Sequence, residues 1–475
     1  MDQKRIYIAA GFAALVVLLI YGWFVSIGPW RARGYTSDYY TQMASAFQHG
    51  QLALEAKPDP ALLNLPNLYD PKARKYIPLL GDASVYKGRY YLYFGPLPSL
   101  LLIPFSLILG AKPGDQVFVY IFILGLFFIQ SLFFLELFRR YFSGLPFWFL
   151  PLIILLLGLT GPFMRMLSHP FIHEAAISGG QFFASTGLYI ALLALQETSI
   201  NDRKLFWVGV LWACALATRI TQLVPVGLMV LVTVLFIWKE GRKEKAAWLS
   251  LRPIIALTMP LLIGGVLLAW YNWARFDSII EFGLYYQLAA FDLQANYDAL
   301  FSRVYVVQNI YNYFFQPFAL KGLFPFVFAL PGSEEPIFLS HELPKLYTVE
   351  GRFAGLLIST PFIFFSVLPG IALLPGWINA LKGNKNQDLS ILWTWITGSL
   401  IGSSIGGAIP TLLIFYVAFR YETEFITGLT MLAVIGFYQV YRLLQSRTAR
   451  IVLLFIGTVL ILFSVYVNIA LAYTG

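Results

Sequence analysis

Asp38 is the first acidic residue after a long apolar run, and it stands between Ser37 and the apolar-periodic stretch Tyr39, Met43, Ala46 and Phe47. The pattern predicts a short helix starting at a membrane surface. Asp38 would either cap the free N–H groups of that helix or act as a partly desolvated general base toward an attacking hydroxyl, and the two roles can coexist. Farther on, Asp82 precedes Tyr86, Lys87, Gly88, Arg89, Tyr90, Tyr91, Tyr93 and then Gly95-Pro96-Leu97-Pro98. Cations interleaved with tyrosines suit a lipid phosphate beside a sugar face; the plainer alternative is a belt of interfacial anchors.

His169, His173 and Glu174 lie close together in sequence, and histidine with carboxylate suits zinc or manganese. A divalent metal is the one cofactor these residues suggest. Pro170 interrupts the spacing, so one helical face cannot be assumed, and polar capping of a helix start is the alternative. Arg219 falls between two short apolar stretches, and Arg420 is followed by Tyr421, Glu422 and Glu424. Charges at such depth are costly and mark function unless they snorkel to the interface. A guanidinium suits a phosphate leaving group.

The elements that must position these groups are apolar. The 475-residue chain is 59% hydrophobic and 12% charged, with a mean hydropathy of +0.71, against roughly 25% charged in soluble domains. These values predict an all-α polytopic membrane protein forming a single transmembrane domain over 1–475. The net charge of +9 resides largely in short connections, where it sets orientation, so nucleic acid is set aside as a partner. Cys214 is the only cysteine, which excludes an intrachain disulfide.

Runs long enough to cross, ~20 residues, occur near 6–28, 116–138, 146–166, 174–196, 253–273, 353–380, 389–419, 424–442 and 450–472. The first lacks a small-residue cleavage site and reads as an uncleaved helix. The stretch 205–238 is interrupted at Thr218, Arg219 and Thr221 and predicts two short helices, while 96–110, with Pro96, Pro98 and Pro104, predicts a re-entrant or interfacial element. Placing Arg139 and Arg140, Arg203 and Lys204, Lys239 to Arg252, Lys382 and Lys385, and Arg442, Arg447 and Arg450 in the cytoplasm gives about eleven crossings, up to thirteen if 96–110 crosses, with the N-terminus inside and the C-terminus outside. Two large extracytoplasmic loops result, 29–95 with interfacial helices and 274–352. Within the second, 304–330 predicts an interfacial helix and Pro331–Pro344 a flap.

With these residues in order, the chain resembles the GT-C superfamily of integral-membrane glycosyltransferases, which includes polyprenyl-phosphate-mannose protein mannosyltransferases and the aminoarabinose transferases of lipid A. The matches are YTSDYYTQMASAFQHGQL around Asp38, KGRYYLYFGPLP, HPFIHEAAISGGQFFASTGLYIALLAL, ALATRITQLVPVGL, YNWARFDSIIEFGLYYQL and the Arg420-Tyr421 pair. The resemblance implies an inverting transfer of a sugar from a polyprenyl-phosphate donor to a lipid, glycan or protein acceptor, at the outer face of a prokaryotic cytoplasmic (inner) membrane. It makes Asp38 the base, assigns the donor phosphate to Arg420, Arg89, Lys87 and Arg219, and sets Tyr39, Tyr91, Tyr93 and Tyr421 against the sugar. Many relatives carry two adjacent acidic residues in the first loop. Here Tyr39 follows Asp38, so a second carboxylate must come from Asp82, Glu55 or Glu174. The rival class is a carrier or flippase for a lipid-linked sugar, which usually shows repeated halves and mid-membrane charges. No repeat is visible, and the polar residues gather on one side.

Overall fold

The computed structural model describes residues 3–26, 37–110, 112–142, 144–197, 199–241, 251–337, 342–373 and 391–474. In lipid every backbone N–H and C=O must be satisfied within the segment, so the apolar runs become helices. In chain order, α1 (Gln3–Val25) is followed by α2 (Tyr39–Gln48) and the one-turn α3 (Pro60–Leu63). A hairpin comes next, β1 (Ala83–Tyr86) antiparallel to β2 (Arg89–Leu92). Then follow α4 (Leu97–Leu109), α5 (Gln116–Arg140), α6 (Phe149–Leu159), α7 (Phe163–Ser168), α8 (Ile172–Leu195), α9 (Asp202–Thr218), α10 (Leu223–Gly241) and α11 (Leu251–Phe276). The second long loop carries α12 (Val306–Ile310), β3 (Phe318–Leu320), β4 (Val327–Pro331), β5 (Thr348–Glu350), β6 (Arg352–Phe353) and α13 (Leu356–Ser359). Last are α14 (Ile391–Leu413), β7 (Tyr416–Ala418), α15 (Thr423–Leu443) and α16 (Arg447–Thr474).

Among the described residues, eight helices are long and apolar enough to cross a membrane, those built on α1, α5, α8, α10, α11, α14, α15 and α16. The molecule is a mostly helical polytopic membrane bundle. The other three expected crossings are shorter pieces. Gly161, at φ 82°, and Pro162 cut 146–166 into α6 and α7. The stretch 205–238 divides at Arg219, whose extended backbone (φ −151°, ψ 116°) ends α9. The run 353–380 begins with β6 and α13 before an apolar helix over Pro361–Leu373; its remainder lies outside the described residues, as do Lys382 and Lys385. The run 96–110 is α4, with Pro104 inside it.

Two expectations need correction. The fold is not purely helical, because the loops build three small sheets, β1–β2, β3–β4–β6 and the parallel pair β5–β7. The segment 304–330 is not one interfacial helix. It holds only a short helical stretch to Phe315 and then the β3–β4 hairpin, because Pro317, Gly322 and Pro325 interrupt any helix beyond Gln316.

The window built on α15 is the most enclosed of the eight, 78% buried against 17% for α11, so α15 is central and α11 peripheral. The starts of α5, α8 and α15 and the ends of α9 and α14 come together with both long loops at one end of the bundle. Close approach of α14 to α15 depends on Gly407, where a Cβ would lie 1.9 Å from the Glu424 carbonyl oxygen. Gly407→Val must push the two helices apart, an overpacking cost of about 1–3 kcal/mol. A thermal melt in detergent should show Tm several degrees lower; an unchanged Tm would contradict this packing.

Candidate active site

At the start of α2, Asp38 occupies the capping position (φ −140°, ψ 24°), but its side chain accepts none of the helix N–H groups. Asp115, the residue before α5, accepts them instead. Tyr39 N donates to Asp115 Oδ2 and Tyr40 N to Oδ1, each at 3.0 Å, and Ser37 Oγ donates to Oδ2 at 2.7 Å. The Asp115 N–H returns a bond to the Ser37 carbonyl at 2.7 Å. Among the described residues, Asp38 Oδ1 accepts only from Gln42 Nε2, at 2.7 Å. The plain cap expected for Asp38 is thus held by another residue. Burial pushes the Asp115 carboxyl up to about 6, although its three hydrogen bonds pull it down.

Asp82 stands at the open end of the β1–β2 hairpin with φ 56°. Its Oδ1 accepts from Gln287 Nε2 at 3.1 Å, and its Oδ2 lies 3.3 Å from His173 Nε2 at the start of α8. The Tyr93 hydroxyl is 3.5 Å from the other ring nitrogen of His173. Burial raises the Asp82 carboxyl, but the His173 and Gln287 hydrogen bonds and the Arg420 charge outweigh it and leave it below the usual carboxylate range. Tyr39 ties this group to α2, since its hydroxyl donates to the Gly81 carbonyl at 2.6 Å. Burial, reinforced by the charges of Asp82, Asp115 and Asp38, pushes the Tyr39 phenol up to about 12. Asp82 is therefore the second-carboxylate candidate that the fold brings toward Asp38.

Two guanidiniums lie beside Tyr421. The Arg219 and Arg420 guanidinium carbons lie 5.6 and 5.5 Å from the Tyr421 ring centroid. Arg420 is buried, with Nη1 2.5 Å from Glu350 Oε2 and 3.8 Å from Glu174 Oε1. Its Nε has no hydrogen-bond partner among the described residues. The parallel β5–β7 pair delivers Glu350, by setting it opposite Ala418, two residues before Arg420. Arg219 pairs with the buried carboxylate of Glu424, which also accepts from Thr221 at 3.1 Å and from Gln222 and Gln181.

Other expected site residues lie elsewhere. Lys87 and Arg89 flank the Gly88 turn of the hairpin, and strands of this length put that tip roughly 13 Å from the Asp82 end. Lys87 Nζ is 2.5 Å from Asp277 Oδ2 on the exposed surface. Tyr91 packs with Phe276 and Ala53. Glu55 binds Ser45 Oγ at 3.0 Å and His49 Nδ1 at 2.7 Å, at the far end of α2 from Asp38. The proposed metal triad is not assembled: His169 turns to Ser168 (3.0 Å), Glu174 to the Phe171 N–H (3.2 Å) and Arg420, and His173 to Asp82. Among the described residues no group of three or more His, Cys, Asp or Glu side chains could hold a metal ion. Asp115, Glu350 and Gln287 were not singled out by the sequence, and Glu424 was named only as a charge following Arg420. Asp115, after Pro113-Gly114, carries only the signal of an ordinary cap for α5.

An apolar groove of about 700 Å³ runs between α4, α9 and α11. Its lining includes Leu100, Cys214, Leu267 and Tyr271, and reaches Pro96 and Ala217. Pro96 is three residues from Tyr93 and Ala217 two from Arg219.

No protein-family model matches the sequence, and no curated protein does. Among solved structures, the apo crystal structure of the oligosaccharyltransferase from Archaeoglobus fulgidus is similar with a TM-score of 0.51 at 13% identity, over 98% of this chain and 56% of that one. The chain shares that archaeal enzyme's fold. A second structure, the oligosaccharyltransferase AglB from the same organism in complex with an inhibitory peptide and a dolichol-phosphate, gives a TM-score of 0.46 at 13% identity over 97% and 55% of the two chains. The protein spans a little over half the length of either.

Truncating one partner of a buried ion pair strands the other charge, at about 3–5 kcal/mol. Arg219→Met should therefore lower Tm sharply, and adding Glu424→Met should recover much of the loss. Equal Tm for the single and double variants would show that the pair is not the source.

Proposed function

We propose that the protein is a membrane glycosyltransferase of the GT-C kind that transfers one sugar from a polyprenyl-phosphate donor to an acceptor hydroxyl, with inversion at the anomeric carbon. The observation that carries this reading is an apolar groove that reaches Ala217, two residues before Arg219, together with the Arg219 and Arg420 guanidiniums at Tyr421 and an Asp38 carboxylate that accepts a single side-chain hydrogen bond among the described residues. Such a groove suits an apolar tail, and the guanidiniums suit the phosphate at its head. The fold shared with an oligosaccharyltransferase supports the same class of chemistry, and the first-loop resemblance to polyprenyl-phosphate sugar transferases supports a single-sugar donor.

In the proposed reaction the acceptor hydroxyl approaches the anomeric carbon on the face opposite the phosphate. Asp38 takes the hydroxyl proton as the new C–O bond forms and the bond to the phosphate oxygen breaks. Arg420, through its unspent Nε donor, and Arg219 stabilise the charge that develops on the departing phosphate. Tyr421 and Tyr93 border the sugar, and the Asp82–His173 pair fixes the polar wall behind it. No step is routed through a metal, because the histidines and Glu174 have other partners. The site belongs to the extracytoplasmic face, since the end of the bundle opposite to it carries Arg139, Arg140, Arg203, Lys204, Arg442 and Arg450. The acceptor is a lipid, a glycan or a protein.

Detergent-solubilised protein given a labelled polyprenyl-phosphate sugar and an acceptor should form labelled product with no bilayer present, which a carrier or flippase would not do. Asp38→Asn should lower that rate by about 10²–10⁴ while donor binding persists. Full activity in folded Asp38→Asn protein would overturn the assignment.

A further inference from the structure

We propose that Asp115 is the positioning residue of this site: by taking over the α2 cap it keeps the Asp38 carboxylate out of its own helix and available to substrate. The inference rests on the reading of Asp38 as the base. Aspartate at a capping position ordinarily turns inward to accept the N–H groups of its first turn. Asp38 has that position and does not do so. Asp115 already takes the Tyr40 N–H, one of the two donors that a cap at Asp38 would recruit, and the neighbouring Tyr39 N–H with it. The exchange is reciprocal, because Ser37 Oγ donates to Asp115 while the Asp115 N–H donates to the Ser37 carbonyl. Thr41 Oγ1 adds a bond to the Pro113 carbonyl at 2.5 Å, which fixes the same turn of α2 against the approach to α5.

Asp115 is 1% exposed, and among the described residues it contacts no cation. Its three hydrogen bonds go to Ser37, Tyr39 and Tyr40, the residues on either side of Asp38. Among the described residues the Asp38 side chain keeps a single bond, from Gln42 one turn along α2, and its other oxygen has no hydrogen-bond partner. Asp115 is thus a residue that acts through Asp38.

Hydrogen exchange and kinetics on the full chain separate the two parts of the claim. In peptides that begin upstream of Ser37, the Tyr39 amide should exchange at least tenfold faster in Asp115→Ala than in the unaltered protein, whereas Asp38→Ala should leave Tyr39 and Tyr40 unchanged. Transfer by Asp115→Ala should show kcat lower by about tenfold or more with KM for the donor within about twofold, and Asp115→Asn, which keeps one acceptor oxygen, should fall between. Where Asp115→Ala does not give folded protein, Asp115→Asn carries both readouts. Unchanged Tyr39 exchange, or faster exchange in Asp38→Ala, overturns the cap assignment. Faster exchange with unchanged kcat overturns the positioning role. Absence of transfer in the unaltered protein refutes the glycosyltransferase reading instead, and the exchange result then still decides which aspartate caps α2.

Discussion

A carboxylate inside an apolar bundle has to be paired or neutralised, and the pairing of Glu424 with Arg219 organises much of this molecule. Glu424 is 1% exposed and draws donors from α8 (Gln181), from the turn between α9 and α10 (Thr221, Gln222) and from Arg219 itself. Two separate stretches of chain, α8 and the turn between α9 and α10, are thereby fastened to the start of α15. The helix break falls at Arg219 itself, so the residue that ends α9 is the one bonded to that carboxylate. Arg420 and Tyr421 lie just ahead of Glu424, so their placement follows from it as well.

Around that anchor, the two long loops contribute what the helices cannot. The β1–β2 hairpin carries Asp82 to His173 at the mouth of α8, and the parallel β5–β7 pair carries Glu350 to Arg420. Each is a short strand pair rather than a loose loop, which gives the site rigid walls on a scaffold that is otherwise helical. Tyr93 lies at His173 and Tyr421 at both guanidiniums, and the proposed displacement calls for the base on one face of the sugar and the leaving group on the other.

Much of the scaffold was legible because lipid leaves a strong signal. Long apolar runs become α1, α5, α8, α10, α11, α14, α15 and α16, and the polar interruption at Thr218, Arg219 and Thr221 marks a real break. The site was legible only in part. Asp38, Asp82, Arg219 and Arg420 stand out as charges next to apolar sequence, but their partners are distant: Asp115 is 77 residues from Asp38, and Glu424 is 205 from Arg219. Local pattern carries no information on such pairings. At Lys87 and Arg89 composition shows that cations and tyrosines are interleaved, but not that a two-residue turn sets the cations at the far tip of a hairpin. The 304–330 stretch misled because its aromatic content suits an interface helix and a strand pair alike.

The central claim is that the donor phosphate lies between Arg219 and Arg420, and an experimental structure with a polyprenyl-phosphate analogue bound tests it most directly. The account predicts the phosphate within about 3 Å of a guanidinium nitrogen beside Tyr421, the tail along the groove lined by Leu100, Cys214 and Leu267, and Asp38 facing the anomeric position. A phosphate held at the Lys87–Arg89 turn, with the tail outside that groove, would contradict it.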